Sequence, residues 1–294
     1  MDLWIIATLG AAAVQTVRFM LQKQVKQAGL STAGATFARF VFAVPLAGLA
    51  ALALTGGVWP APGAAFWAWA AAGGMAQILA TMATVALFSL RNFAVGIAFT
   101  KTETVQVALF SAAILAEPVP PAGWAAILVG FLGVVMLSRG GAEVARFDPR
   151  ATALGLLAGG LFGLSAIGYR AATLELAELA PAARAAVTLA CVTGLQTLAM
   201  AAWLGRREPG EIGKVMRAWR RTLPVGVTGV AGSYGWFLAF SLQNAAVVRA
   251  VGQVEIVFTL LVSAVVFRER LRAREGLGIA LVVGSLVALV LLLG

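Results

Sequence analysis

FSLRNFAVGIAFTKTETVQVALFSAAILAE, Phe88 to Glu117, returns as FSLQNAAVVRAVGQVEIVFTLLVSAVVFRE, Phe240 to Glu269, with 13 of 30 positions identical at a constant offset of 152 residues. Two copies at that spacing read as a tandem duplication, with one unit over residues 1–140 and a second over residues 151–294. A solenoid or propeller would show more copies at a shorter period. The matched positions include Glu103 and Glu255, each inside an apolar run. Lipid does not tolerate a carboxylate there, so each must face protein or a watery path.

Working outward, 61% of the 294 residues are apolar and only 12% are charged, well outside the globular range. A spanning helix needs about 20 mostly apolar residues. Ten such windows run along the chain, at 3–21, 33–55, 66–88, 94–116, 123–139, 151–171, 182–204, 222–242, 247–267 and 276–293. The expected fold is therefore an all-α membrane protein of ten transmembrane helices. No segment is long enough for a soluble domain, and the longest polar connection, 205–221, reads as a linker.

The net charge of +10 does not mark a nucleic-acid binder, because the charges sit between the spans. Sixteen of the 22 Lys and Arg fall in alternate connections, from Lys23 and Lys26 through Arg206–Arg221 to Arg268–Arg274. The intervening connections carry only Glu117, Glu175 and Glu178. By the positive-inside rule the basic loops are cytoplasmic and both termini are periplasmic. No basic stretch precedes the first apolar run, so span one is expected to be retained rather than cleaved as a signal peptide.

Five helices per unit is an odd number, so the second copy must enter the membrane opposite to the first. The expectation is two inverted five-helix repeats with a substrate site at their interface near the midplane, moving by alternating access. Glycines at 155, 159 and 163, and at 226, 229, 232 and 235, allow helices to pack closely.

Six basic residues remain inside or beside spans: Arg18, Arg39, Lys101, Arg170, Arg184 and Arg249. Arg39, Arg170 and Arg184 fall near window ends, where snorkelling or helix capping accounts for them. Arg18 lies one turn from Gln15, which makes that face of span one polar. At 100° per residue Glu103 shares a face with Phe99 and Gln106 while Lys101 points away, and Gln253 shares a face with Arg249 rather than with Glu255. Glu103 and Glu255 either bind a cationic group or a proton, or hold the two units together through buried pairs. Lys101 and Arg249 are the natural partners of those glutamates or of a substrate anion.

The FSL-x-N segments at Phe88 and Phe240, each followed by an apolar run ending in a glutamate, Glu117 in AILAEPVP and Glu269 in AVVFRERL, resemble the EamA units of the drug/metabolite transporter superfamily. The resemblance covers essentially the whole chain. It implies a carrier of small metabolites, in a superfamily that includes carriers of amino acids, nucleotide sugars, sugar phosphates and drugs. Length and span count look most like the bacterial inner-membrane exporters, the YddG-type exporters of neutral and aromatic amino acids among them. An exchanger of phosphorylated metabolites and a drug efflux carrier are the alternatives.

A zwitterionic amino acid needs a cation or donors for its carboxylate, an acceptor for its ammonium and an apolar wall. Lys101, Gln15, Gln77 and Gln253 would serve the carboxylate, and Arg18 is a further candidate for the site. Glu103 or Glu255 would serve the ammonium, and Met82, Phe99, Tyr169, Tyr234 and Trp236 the side chain. Thr81 and Ser233 occupy matching positions in the two copies, as do Met82 and Tyr234, so their helices are expected to present equivalent faces. Trp4, Trp59, Trp67 and Trp69 read as interface-belt residues.

With no histidine and one cysteine, the chain lacks the usual means of an enzyme or a metal site. No catalytic residue, metal or cofactor is expected, and Cys191 reads as a small core residue. The expected partners are a small-molecule substrate and the lipid bilayer, and one chain supplies both halves of a pathway, so a monomer suffices. Proton coupling, if present, would pass through Glu103 or Glu255.

Overall fold

A computed structural model describes residues 2–87, 100, 102–138, 149–266 and 273–293. Those residues form helices and connecting turns, with no strand among them. In order they are α1 (Leu3–Gln27), α2 (Thr32–Val41), α3 (Ala43–Leu54), α4 (Ala64–Leu87), α5 (Glu103–Leu115), α6 (Pro121–Ser138), α7 (Pro149–Leu174), α8 (Pro181–Arg207), α9 (Glu211–Arg217), α10 (Trp219–Leu242), α11 (Ala245–Val251), a 3-10 turn (Gly252–Val254), α12 (Glu255–Val266) and α13 (Ala273–Leu293). The apolar windows fall on these helices wherever the residues are described.

Helix starts follow local chemistry. The Ser31 hydroxyl accepts from the Gly34 N–H at 2.9 Å, and the Asn244 amide oxygen accepts from the Ala246 N–H at 2.7 Å, each satisfying a donor that the first turn leaves open. Proline opens α6, α7 and α8, where its missing N–H has no bond to lose.

Six stretches are long and apolar enough to cross a membrane: Leu3–Gln27, Thr32–Leu54, Ala64–Leu87, Ala153–Leu174, Pro181–Arg207 and Trp219–Leu242. Shorter apolar helices run over Glu103–Leu115, Pro121–Met136 and Gly276–Leu292. Large apolar side chains cover the outside, among them Leu49, Leu198 and Leu291, and such a surface needs lipid around it.

Small residues set the packing inside. Gly232 and Gly235 of α10 face α1, where a Cβ on Gly235 would lie 2.9 Å from the Ala7 carbonyl and one on Gly232 3.5 Å from Val14, while Gly226 and Gly229 meet Phe42 and Arg39. Helices α4 and α7 approach so closely that a Cβ on Gly168 would lie 2.8 Å from the Gly73 Cα. Gly159 and Gly163 do the same for α7 against α5, the first against the Glu103 backbone and the second against Phe110.

Three sequence expectations change. The 205–221 connection is not a plain linker, because it contains α9, tied down through Glu211. The Glu211 carboxylate accepts from the Ser31 N–H at 2.6 Å and pairs with Lys214 at 2.9 Å. Burial pushes this carboxyl up, but the Ser31 N–H and the Lys214 ammonium outweigh it and hold it below the usual carboxylate range. The 247–267 window is not one continuous helix, since the 3-10 turn interrupts it. Trp4 is buried in the core rather than placed in a lipid-facing belt, while Trp59 and Trp67 are exposed.

Candidate functional site

Both intramembrane glutamates stand at helix starts. Glu255 is the first residue of α12, immediately after the 3-10 turn, and Glu103 is the first residue of α5. A helix N-terminus favours a negative charge, so backbone and carboxylate are matched at both places.

Each glutamate also meets a partner from the other end of the sequence. Arg249 Nε lies 2.8 Å from Glu103 Oε1, with both side chains buried. Gln15 Nε2 donates to Glu255 Oε2 at 3.0 Å, and Trp236 Nε1 donates to Gln15 Oε1 at 3.0 Å. The indole can only donate and the carboxylate accepts, so the Gln15 amide has a single satisfied orientation. The Arg249 guanidinium lies over the Trp236 ring, 4.5 Å from its centroid, which closes the chain Glu103–Arg249–Trp236–Gln15–Glu255. Gln15 is twelve residues into α1, about 18 Å along its axis, close to the middle of that span.

A second group lies alongside. The Tyr169 hydroxyl donates to Gln77 Oε1 at 2.9 Å, and Gln196 Nε2 reaches both Gln77 Oε1, at 3.0 Å, and the Gly74 carbonyl. The Tyr169 ring stacks on Phe237 with centroids 4.3 Å apart. Between the groups, Arg39 donates to the Thr81 hydroxyl at 3.0 Å and to the Ser233 hydroxyl at 3.2 Å. The two matching positions read from the repeat thus hold one guanidinium.

The other expected residues are more scattered. Arg18 is buried and donates from Nη1 to Gln22 Oε1 at 2.7 Å. Tyr234 is half-buried, its hydroxyl 3.4 Å from the Ala182 carbonyl, and Met82 packs at the edge of an apolar cluster around Phe19 and Phe37. Gln253 is fully buried, its amide oxygen beside Gly130 where Ser285 also packs, within the 3-10 turn. Phe99 and Lys101 lie outside the described residues.

Two basic residues depart from the snorkelling expectation. Arg39 is buried at 3% exposure because two hydroxyls from other helices receive it. Arg170 pairs with Glu117 at 2.7 Å and donates to the Phe240 carbonyl, so it joins helix ends instead of reaching for headgroups. Arg184 does cap, donating to the Leu179 and Ala177 carbonyls beyond α7. Arg39 and Gln196 were missed as site residues. An amide inside the 182–204 window was a visible signal for Gln196, whereas nothing local marks Arg39.

A cavity of about 670 Å³ opens at one end of α1, lined by Val25, Leu30, Lys214, Arg217, Trp219 and Arg221. Val25 is ten residues beyond Gln15, about 15 Å along the helix, so this basic recess belongs to the membrane surface and not to the central polar layer. Among the described residues no three Cys, Asp or Glu gather as metal ligands would.

Residues 149–291 match the EamA-like transporter family. No curated protein matches the chain. A solved structure titled only "Crystal structure of protein" superposes with a TM-score of 0.73 over 97% of this chain and 96% of that one, at 17% identity. At that identity the likeness is one of fold. The apolar helices and the family match together make this a multi-pass membrane protein whose C-terminal part is akin to transporters of small solutes.

Proposed function

We propose that the chain is a bacterial inner-membrane carrier of the drug/metabolite transporter superfamily, not an enzyme. It exports small metabolites, amino acids of the YddG-type exporters' range first among them, by alternating access. In this reading ten spans form two inverted five-helix repeats, basic loops face the cytoplasm, and the substrate occupies the polar layer between the repeats. The observation that carries it is the buried chain Glu103–Arg249–Trp236–Gln15–Glu255, in which residues from both ends of the sequence meet at mid-span. Such a layer is expensive in lipid and is retained where a solute must be held. Exchange of phosphorylated metabolites is the second reading, and the inward turn of Arg39 favours it.

The test is uptake of labelled leucine, phenylalanine, glutamate and glycerol 3-phosphate into proteoliposomes, with Glu255→Gln alongside. Saturable flux of at least one probe, reduced at least tenfold in the folded variant, is expected. Wild-type protein that moves none of them contradicts carriage of these classes, and pH-dependent flux unchanged by Glu255→Gln removes Glu255 as a coupling group.

A further inference from the structure

Two guanidinium groups sit beside the polar layer with no carboxylate of their own among the described residues. Arg18 and Arg39 are 2% and 3% exposed, and neither forms an ion pair among the described residues. Arg39 donates to the neutral hydroxyls of Thr81 and Ser233 and lies over the Phe40 ring, 5.3 Å from its centroid. Arg18 gives Nη1 to the Gln22 amide and rests on the Phe19 ring, 4.2 Å from its centroid, while its Nη2 has no hydrogen-bond partner among the described residues. A buried charged donor left open costs several kcal/mol unless something completes it.

The two side chains converge. Gly229 is their common floor: a Cβ there would lie 3.1 Å from Arg39 Cγ and 3.8 Å from Arg18 Cδ. The nearby charges do not balance them. Glu103 is matched by Arg249 at 2.8 Å, which among the described residues leaves Glu255, bonded to Gln15, as the carboxylate acting on Arg18. Among the described residues, two guanidinium groups against one carboxylate leave a surplus of one positive charge.

We infer that Arg18 and Arg39 form the anion-binding end of the central site, and that the solute carried there bears a net negative charge, as a dicarboxylate or a phosphate monoester does. The inference rests on the carrier reading above and moves its substrate class from neutral amino acids to anions, in line with the second reading given there. Planar guanidinium forks suit carboxylate and phosphate oxygens equally, so the geometry fixes the charge of the ligand and not its source. Thr81 and Ser233 are positioning residues, since they hold the Arg39 fork from two different helices.

One competing account is specific. The 152-residue offset that relates Arg170 to Arg18 also relates its partner Glu117 to Glu269, so Glu269 would neutralise Arg18 if the pairing is repeated.

Thermal unfolding of the purified full chain separates these accounts, with succinate, glutamate, glycerol 3-phosphate, leucine and phenylalanine as probes at matched ionic strength. Succinate or glycerol 3-phosphate should raise the midpoint by several degrees at 100 times its dissociation constant, and leucine and phenylalanine should not. The larger of the two anion shifts identifies carboxylate or phosphate as the natural group. Arg39→Gln should abolish the shift, Arg39→Lys should keep part of it, and Thr81→Ala and Ser233→Ala should weaken binding about three- to tenfold, a range set by loss of one neutral hydrogen bond. The alanine variants keep the test open if Arg39→Gln does not fold. Stabilisation and flux by leucine alone, unchanged in Arg39→Gln, would overturn the inference and leave the carrier standing. Neither flux nor stabilisation by any probe would overturn both. Loss of anion binding in Arg18→Gln with full binding in Glu269→Gln supports the site, while equal loss in both assigns Arg18 to a structural pair.

Discussion

The Glu103–Arg249 pair shows what one side chain is worth in this protein. Removing one member leaves the other charge buried and uncompensated, so Glu103→Gln should destabilise the fold by about 3–5 kcal/mol, and Glu103→Leu with Arg249→Met together should cost less than either single change. Unfolding of the four proteins in detergent measures the cycle; additive effects would show that the two groups do not interact. Glu211 gives the pH counterpart. Its folded carboxyl titrates below the unfolded one, so its contribution is present above the unfolded value, about 4.3, and is lost as pH falls through the lower folded value. Glu211→Gln should therefore lower stability by about 1 kcal/mol at pH 7 and converge with wild type in acid. At this scale the sequence marked Glu103 and Glu255 because a carboxylate in an apolar run is costly wherever it points. It did not mark Arg39, whose receivers Thr81 and Ser233 lie 42 and 194 residues away.

Among the elements, the turn after α5 and the break before α12 carry the most information. Ala116 ends α5 in the left-handed region, φ 53°, where an alanine is strained and a glycine is not. Ala116→Gly should raise stability by about 0.5–1 kcal/mol in thermal unfolding, the left-handed penalty of about 1–2 kcal/mol less the backbone freedom a glycine loses, and a loss would show that the turn is not strained. Gly252 occupies the 3-10 turn against the Trp236 ring, where a Cβ would lie 3.1 Å from Cζ3. Gly252→Ala should displace the indole from Gln15, visible as a shift in its fluorescence, with lower solute flux. The apolar windows were legible because spans are defined by composition. The break at Gly252–Val254 was not, since Gly252 lies against Trp236 of α10, a contact made across the fold.

For the molecule as a whole, the apolar exterior, the helical fold and the family match to residues 149–291 were all foreshadowed by hydropathy and by the 152-residue repeat. The charge balance of the core was not, because it depends on which basic residues turn inward. On the proposed reading, a buried site is reached from each side of the membrane in turn. The most direct test places a single thiol there, Ser233→Cys in a Cys191→Ala background, and exposes oriented vesicles to a membrane-impermeant thiol reagent from one side and then from the other. Modification from both sides, slowed by a bound solute and without ion leak, is the predicted result. Modification from one side only, from neither, or from both with free ion passage would contradict alternating access.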